Sequence, residues 1–93
     1  METSATYDLN DEQQLDRLAA ALNSTVRRKM LRLLGENSYS VLGLAETLNL
    51  SVSTTAFHLK FLKEANLIKV LPNPNKKGNE KIISQYISLL QFD

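Results

Sequence analysis

The sequence contains no cysteine among its 93 residues. This absence excludes a disulfide framework, a thiolate metal site and redox sensing by cysteine, and it fits a reducing compartment. No run approaches the roughly 20 apolar residues that span a bilayer, and the polar start METSATYDLN lacks the basic and apolar regions of a signal peptide. We therefore expect a cytoplasmic protein without a membrane partner.

Charged residues are unevenly distributed, although the formal net charge is only +1. Residues 1–16 contain five acidic and no basic residues, whereas residues 60–81 contain six lysines against two glutamates. Because salt screens distant charges over about 8–10 Å, this second stretch attracts phosphate whatever the charge of the whole chain. The alternative is a solvated lysine-rich surface, which composition alone favours.

The first half of the chain has the pattern of two helices in a single domain. Asn10 and Gln13 form a predicted capping box for the first helix, and Ser24 is the predicted cap of a second helix that ends at Gly35. The predicted apolar stripes are Leu15, Leu18 and Leu22 in the first helix, and Val26, Met30, Leu33 and Leu34 in the second.

Two further helices are predicted to meet across a tight turn. Val41, Leu44, Ala45 and Leu48 recur at the spacing of a short third helix. Asn49 tolerates the left-handed conformation that ends a helix, and Ser51 is a suitable cap for the next one. In this fourth helix, closed by Asn66, we expect one stripe of Val52, Thr55, Leu59 and Leu62 against an opposite stripe of Ser53, Phe57, Lys60 and Glu64.

The residue pattern then changes to that of a β-hairpin. LIKVL and KIISQYIS are rich in β-forming residues, and NPNKKGNE between them has the composition of a turn with a basic tip. The fold class expected is therefore mainly α with a small β-hairpin wing, a winged helix-turn-helix. We divide the chain into a flexible acidic segment at 1–9, this domain at 10–88 and an apolar tail at 89–93.

The segments LAAALNSTVRRKMLRLL and YSVLGLAETLNLSVSTTAFHLKFLKEANLIKV resemble the arsenic-repressor-like (ArsR-like) winged-helix family of regulators. The likeness runs from about Leu18 to Ser88, and its most specific parts are the patterns VxxLAxxLxLSxST and HLxxLxEAxLI. It implies a homodimeric transcriptional repressor that binds double-stranded DNA, with the helix that starts near Val52 as the recognition helix and the hairpin as the wing.

The expected DNA-binding residues follow from this arrangement, because the start of a recognition helix enters the major groove and basic wings approach phosphate or the minor groove. On the recognition helix they are Val52, Ser53, Thr54, Ala56, Phe57 and Lys60, and on the wing they are Lys76, Lys77 and Lys81. The alternative to DNA binding is that the turn between the two helices has only a structural role, as in any helical bundle.

The sequence departs from the family pattern in three places. Many members sense metals through a cysteine pair at the start of the third helix, where this chain has residues 40–42 without cysteine. Ala56 and Phe57 stand where members commonly have a hydroxyl and a basic residue, so base contacts are not transferred. Asn49 and Asn66 replace glycines that are usual at helix ends.

Several single residues have a functional and a structural interpretation. For His58, the only histidine, we favour a role in packing or backbone hydrogen bonding over metal binding. Arg27 and Arg28 are candidates for DNA-backbone contacts, or for a solvated helix face paired with acidic residues. Phe57 is a candidate for contact with a thymine methyl group or a partner protein, or for packing against the wing, and we favour its exposure.

The sequence has no glycine-rich phosphate loop, carboxylate pair or catalytic triad in a plausible pocket, so we expect neither an enzyme nor a bound cofactor. The rival function is a protein-interaction module within a larger assembly, because winged helices also serve that role. The apolar end YISLLQFD indicates a tail that feeds a dimer interface or leads into a further domain.

Overall fold

The computed structural model describes residues 4–72, 81–85 and 89–92, which form four helices and four strands. In chain order these are β1 (Ser4–Tyr7), α1 (Glu12–Leu22), α2 (Thr25–Leu34), α3 (Val41–Leu48), α4 (Val52–Glu64), β2 (Ile68–Pro72), β3 (Lys81–Gln85) and β4 (Leu89–Phe92). The predicted class, a helical domain with a β-hairpin wing, is confirmed. No helix in the described part of the chain is both long and apolar enough to cross a membrane.

Helix α1 begins one residue later than its sequence predicts. The N-cap is Asp11, whose Oδ1 accepts a hydrogen bond from the backbone N–H of Gln14 at 3.1 Å, so the predicted capping box of Asn10 and Gln13 is wrong. The reason lies in the preceding turn, where Asp8 accepts the backbone N–H of Asn10 at its side chain and that of Asp11 at its carbonyl. Because Asp8 already accepts these two N–H groups, the unpaired N–H groups at the start of the helix lie one residue further along the chain, and Asp11 is the residue that caps them.

The other three helices begin at serine caps. Ser24, Ser40 and Ser51 each accept a backbone N–H from the residue three positions further on, at 3.3, 3.0 and 3.0 Å. These bonds satisfy N–H groups that have no partner within the helix. The predicted caps Ser24 and Ser51 are therefore confirmed.

Both asparagines that replace helix-end glycines adopt the left-handed conformation. Asn49 has a φ of 56° directly after α3, and Asn66 has a φ of 60° shortly after α4. The N–H of Leu50, the residue after Asn49, returns to the carbonyl of Ala45 at 2.9 Å. This reversal ends α3 and turns the chain toward the cap of α4.

The core lies where α4 packs against α1, α2, α3 and the hairpin. Its fully buried apolar side chains come from every layer of the domain and include Met30, Leu44, Leu62 and Ile83. On α4, the predicted inner positions Thr55, Leu59 and Leu62 are buried. Val52 is not, because it lies on the first turn of α4, and 48 % of its surface is exposed.

Strands β2 and β3 form the predicted antiparallel hairpin, with Ile68 opposite Gln85 and Pro72 opposite Lys81. Tyr39, just before α3, exchanges backbone hydrogen bonds of 3.1 and 2.7 Å with Ile83. This bridge attaches the base of the wing to the helical domain. Residues 73–80, which include the predicted wing lysines Lys76 and Lys77, lie outside the described residues.

The two ends of the described chain meet as a second, parallel pair of strands. β1 pairs with β4, with Ser4 opposite Leu89 and Tyr7 opposite Phe92. Tyr7 is buried, and its hydroxyl donates to the carbonyl of Ala65 at the end of α4 at 3.0 Å. The division at residues 9 and 89 remains a prediction, but the structure places strands in both terminal segments.

Candidate nucleic-acid interface

The candidate site is centred on the turn between α3 and α4. Residues 49–51 join the two helices, with Asn49 in the left-handed conformation and Ser51 capping α4. Leu50 between them is half-buried against the core. The turn therefore holds the first residues of α4 close to the end of α3. The start of α4 remains at the surface.

The start of α4 presents short polar side chains. Ser51 Oγ lies 3.2 Å from Ser53 Oγ and donates to Thr54 Oγ1 at 2.9 Å, while it accepts the Thr54 N–H. All three residues are exposed. Such a helix start offers hydroxyl groups and the positive end of the helix dipole to a phosphate or a base edge.

The predicted recognition-helix residues all lie on the exposed side of α4. They are Val52, Ser53, Thr54, Ala56, Phe57 and Lys60. The inner side of the same helix carries Thr55, whose hydroxyl donates to the Ser51 carbonyl at 2.9 Å, and the core leucines. This exposed set is called the α4 outer face below.

Phe57 projects from the middle of the α4 outer face, with 56 % of its surface exposed. Its ring makes edge-on contacts with His58, at 5.5 Å between centroids, and with Phe61, at 5.2 Å. Its described ring contacts are thus to its own helix, and the predicted exposure of Phe57 is confirmed. An exposed aromatic ring held by its neighbours is suited to contact with an apolar surface.

Arg27 corrects the sequence prediction, because it faces the interior and only 8 % of its surface is exposed. Its Nε and Nη2 donate to the carbonyls of Ala21 and Ala20, at 3.1 and 2.7 Å, near the end of α1. Its Nη1 lies 2.9 Å from His58 Nδ1 on α4, and its guanidinium carbon stands 4.3 Å from the centre of the Phe61 ring. Arg27 thus belongs neither to a solvated face nor to a DNA-contacting surface.

Sequence periodicity contains the signal for this burial. Arg27 precedes Met30 and Leu34 at the i, i+3 and i+7 spacing of a single helix face, and both of those residues are buried. Arg28 points elsewhere: it is exposed and donates from Nη1 to the Leu22 carbonyl at 2.6 Å. Both arginines supply donors to carbonyls at the end of α1, which lack partners within the helix.

His58 is half-buried and faces the Arg27 guanidinium, so its hydrogen-bond partner is a side chain, whereas the sequence indicated packing or backbone hydrogen bonding. Burial lowers the pKa of His58, and the nearby positive charge of Arg27 lowers it further. With Arg27 as the donor, Nδ1 is the acceptor nitrogen of a neutral ring. In the described part of the chain, no three His, Cys, Asp or Glu side chains are grouped as metal ligands.

The wing contributes one described basic residue to the same side of the molecule. Lys81 opens β3, is exposed, and lines a groove together with Val52, Ala56 and Lys60 of the α4 outer face. The structure therefore brings one predicted wing residue next to three predicted helix residues. Lys63 and Leu42 line the groove as well and were not predicted as site residues.

A helix exposed beside a short turn, followed by a β-hairpin packed on the same domain, defines a winged helix-turn-helix DNA-binding domain. The sequence profile described as bacterial regulatory protein, arsR family, matches residues 24–70. The chain belongs to this family of DNA-binding transcription regulators, which are not enzymes. No curated protein sequence matches the chain.

Several solved structures share this fold. Reduced HlyU from Vibrio cholerae superposes with a TM-score of 0.66 at 23 % identity, covering 84 % of this chain and 78 % of that chain. NolR from Sinorhizobium fredii has a TM-score of 0.69 at 20 % identity, covering 84 % and 74 %. A homodimeric winged helix-turn-helix DNA-binding domain from Mycobacterium bovis has a TM-score of 0.68 at 21 % identity, covering 81 % and 66 %.

Proposed function

We propose that this chain is a sequence-specific regulator, a repressor by family analogy, that reads the major groove with the α4 outer face. The observation that carries the proposal is the capped start of α4, where Ser53, Thr54 and Phe57 are all exposed on the two turns that enter the groove in this architecture. The hydroxyl groups suit hydrogen bonds to base edges, and the Phe57 ring suits a thymine methyl group.

The wing supplies affinity in this proposal. Lys81 on β3 contacts phosphate or the adjacent minor groove, together with Lys76 and Lys77, which lie outside the described residues. Lysine is a flexible point charge, so it strengthens binding to any sequence without selecting a base. Because the proposed target of the protein is genomic DNA, we propose that the protein acts in the cytoplasm.

The proposed active species is a homodimer. The related fold from Mycobacterium bovis is homodimeric, and Leu9 is exposed between β1 and α1, where it is free to contribute to an interface. The apolar tail at 89–93 is the second proposed contributor, as a dimer contact or as the start of a further domain. A two-fold dimer requires two equivalent half-sites on the DNA.

Selection of bound sequences from a random duplex pool tests this proposal. We expect an enriched near-palindrome whose half-sites are separated by one helical turn, roughly 34–36 Å. Enrichment of single, unpaired half-sites contradicts the dimer, and failure of the folded protein to bind any duplex at low salt contradicts DNA recognition.

The exposed apolar side chains Leu42, Val52 and Phe57 favour a second candidate function, a protein-interaction module. Salt separates the two candidates. DNA binding falls steeply with salt because bound cations are released from the phosphates, whereas a largely apolar protein interface is insensitive to it.

A further inference from the structure

An open groove of about 680 Å³ lies between the start of α3, the side of α4 and the β2–β3 hairpin. Its inner wall includes the buried side chains of Leu59, Ile68 and Ile83, and its outer wall includes Leu42 and Val52. These two outer residues are 58 % and 48 % exposed. The volume falls within the range of small-molecule sites, and the wall is mostly apolar.

Three lysines stand around this apolar groove: Lys60 and Lys63 on α4, and Lys81 on β3. Lys60 and Lys63 are three residues apart and are therefore neighbours on the helix surface. Among the described residues, none of the three lysine side chains makes a hydrogen bond or ion pair with another described residue, and no acidic side chain lines the groove. Like charges around a shared space raise the local positive potential and attract an anion.

We infer that this groove binds an amphipathic organic anion, meaning an aromatic or short aliphatic body that carries one carboxylate or sulfonate. The body covers the apolar wall at Leu42 and Val52, and the anionic group faces the lysines. An inorganic anion leaves the apolar wall exposed to water, and an uncharged apolar molecule leaves the lysine charges uncompensated. Only a ligand with both parts matches both features of the groove.

The position of the groove implies a regulatory consequence, which rests on the proposed function. Val52, Ala56 and Lys60 line the groove and also belong to the α4 outer face. A bound anion therefore occupies surface that the DNA needs and places negative charge where phosphates approach. Binding of the anion and binding of DNA exclude one another, whereas anion binding itself does not depend on DNA recognition.

Direct titration with 1-anilinonaphthalene-8-sulfonate, followed by its fluorescence, tests the groove. The groove variants are Lys63→Ala and Leu42→Ser, because both residues are exposed and lie outside the proposed DNA contacts. The matched controls are Lys29→Ala on α2 and Leu71→Ser on β2, which remove the same side chains from exposed positions outside the groove. Circular dichroism and thermal melting confirm that each variant is folded.

We expect each groove variant to raise the dissociation constant about three- to fivefold, the effect of one exposed charge or one partly covered leucine, and the controls to leave it unchanged. The uncharged analogue N-phenyl-1-naphthylamine should bind more weakly and show no effect of Lys63→Ala. Groove variants that bind the sulfonate as tightly as the controls overturn the inference, as does equal affinity for the uncharged analogue.

A second arm measures displacement of a fluorescein-labelled duplex by the same sulfonate. Competition predicts that duplex affinity falls in proportion to sulfonate concentration, and that Lys63→Ala needs several-fold more sulfonate for the same displacement. A bound duplex that persists at saturating sulfonate overturns the competition. If the wild type binds no duplex at all, the proposed function fails, while the direct titration still decides whether the groove binds the anion.

Discussion

A single arginine joins three helices of this domain. Arg27 starts from the first turn of α2, donates to the carbonyls of Ala20 and Ala21 in α1, and reaches His58 and Phe61 on α4. Its planar guanidinium distributes these donors in fixed directions, which the ammonium of lysine does not. Helix α4 is therefore held through its inner side by a charged group, in addition to the apolar core.

Replacing Arg27 tests this link. Arg27→Ala leaves buried acceptors at the end of α1 without partners, so we expect a loss of about 2–3 kcal/mol in the free energy of unfolding. Arg27→Lys should recover only part of this loss. The matched control is Arg28→Ala, an exposed arginine that also donates to α1, for which we expect less than about 1 kcal/mol. Equal stability of the two alanine variants in urea unfolding contradicts this role.

His58 gives the molecule a defined dependence of stability on pH. Its pKa in the folded state is lowered below the ordinary value of 6.5 by burial and by Arg27, so the unfolded state binds the proton first as the pH falls. The contribution of His58 is therefore complete above pH 6.5, decreases below it, and becomes constant once the pH falls below the folded-state pKa.

We expect the melting temperature of the wild type to decrease between about pH 7.5 and pH 5.5, and this slope to become smaller in His58→Gln, which keeps a hydrogen-bond acceptor but does not titrate. Calorimetry across this range checks both expectations. A slope that is unchanged in His58→Gln assigns the pH dependence to other groups.

At the scale of the elements, the features that depend on sequence signals within a few residues were predicted correctly. The caps at Ser24 and Ser51, the left-handed Asn49 and the change from helix to hairpin after Asn66 each depend on neighbouring residues, and the structure confirms them. Predictions failed where the outcome depends on a more distant partner or a competing turn. Arg27 is buried because α1 and α4 supply its acceptors and its aromatic neighbour.

The same distinction applies to the candidate site. The exposed residues on α4 follow from helical periodicity, with the exception of Val52. Periodicity places Val52 on the inner stripe, but it is exposed because it lies on the first turn of the helix. The groove was not predicted, because its walls come from α3, α4 and both strands of the hairpin. The pairing of β1 with β4 was also missed, since it joins segments at opposite ends of the chain.

The turn between α3 and α4 allows a matched test of a single backbone conformation. Asn49 has a φ of 56°, a conformation that glycine adopts without steric cost and alanine does not. Asn49→Ala should lower the free energy of unfolding by about 1 kcal/mol, and Asn49→Gly should leave it nearly unchanged. If both variants are equally stable in urea unfolding, the left-handed turn is absent in solution.

At the scale of the whole molecule, the proposed binding surface and the contacts that support it lie on opposite sides of α4. The inner side of α4 carries Leu59 and Leu62 into the core and meets Arg27, while the outer face is left free beside the hairpin. Neither side can move without the other because α4 is a single rigid element. The central claim about function is that the α4 outer face selects the base sequence and the wing supplies affinity for any sequence.

That claim is tested most directly by measuring affinity for a set of duplexes that differ by single base pairs, each over a range of salt concentrations. Ser53→Ala and Phe57→Ala should change the preference at particular base pairs by about 1–3 kcal/mol and leave the salt dependence unchanged. Replacing Lys76 and Lys77 with alanine should weaken binding to every duplex alike and reduce the slope of log K against log salt by up to about two. The opposite pattern, with the lysines setting base preference and the α4 variants having no effect, contradicts the account.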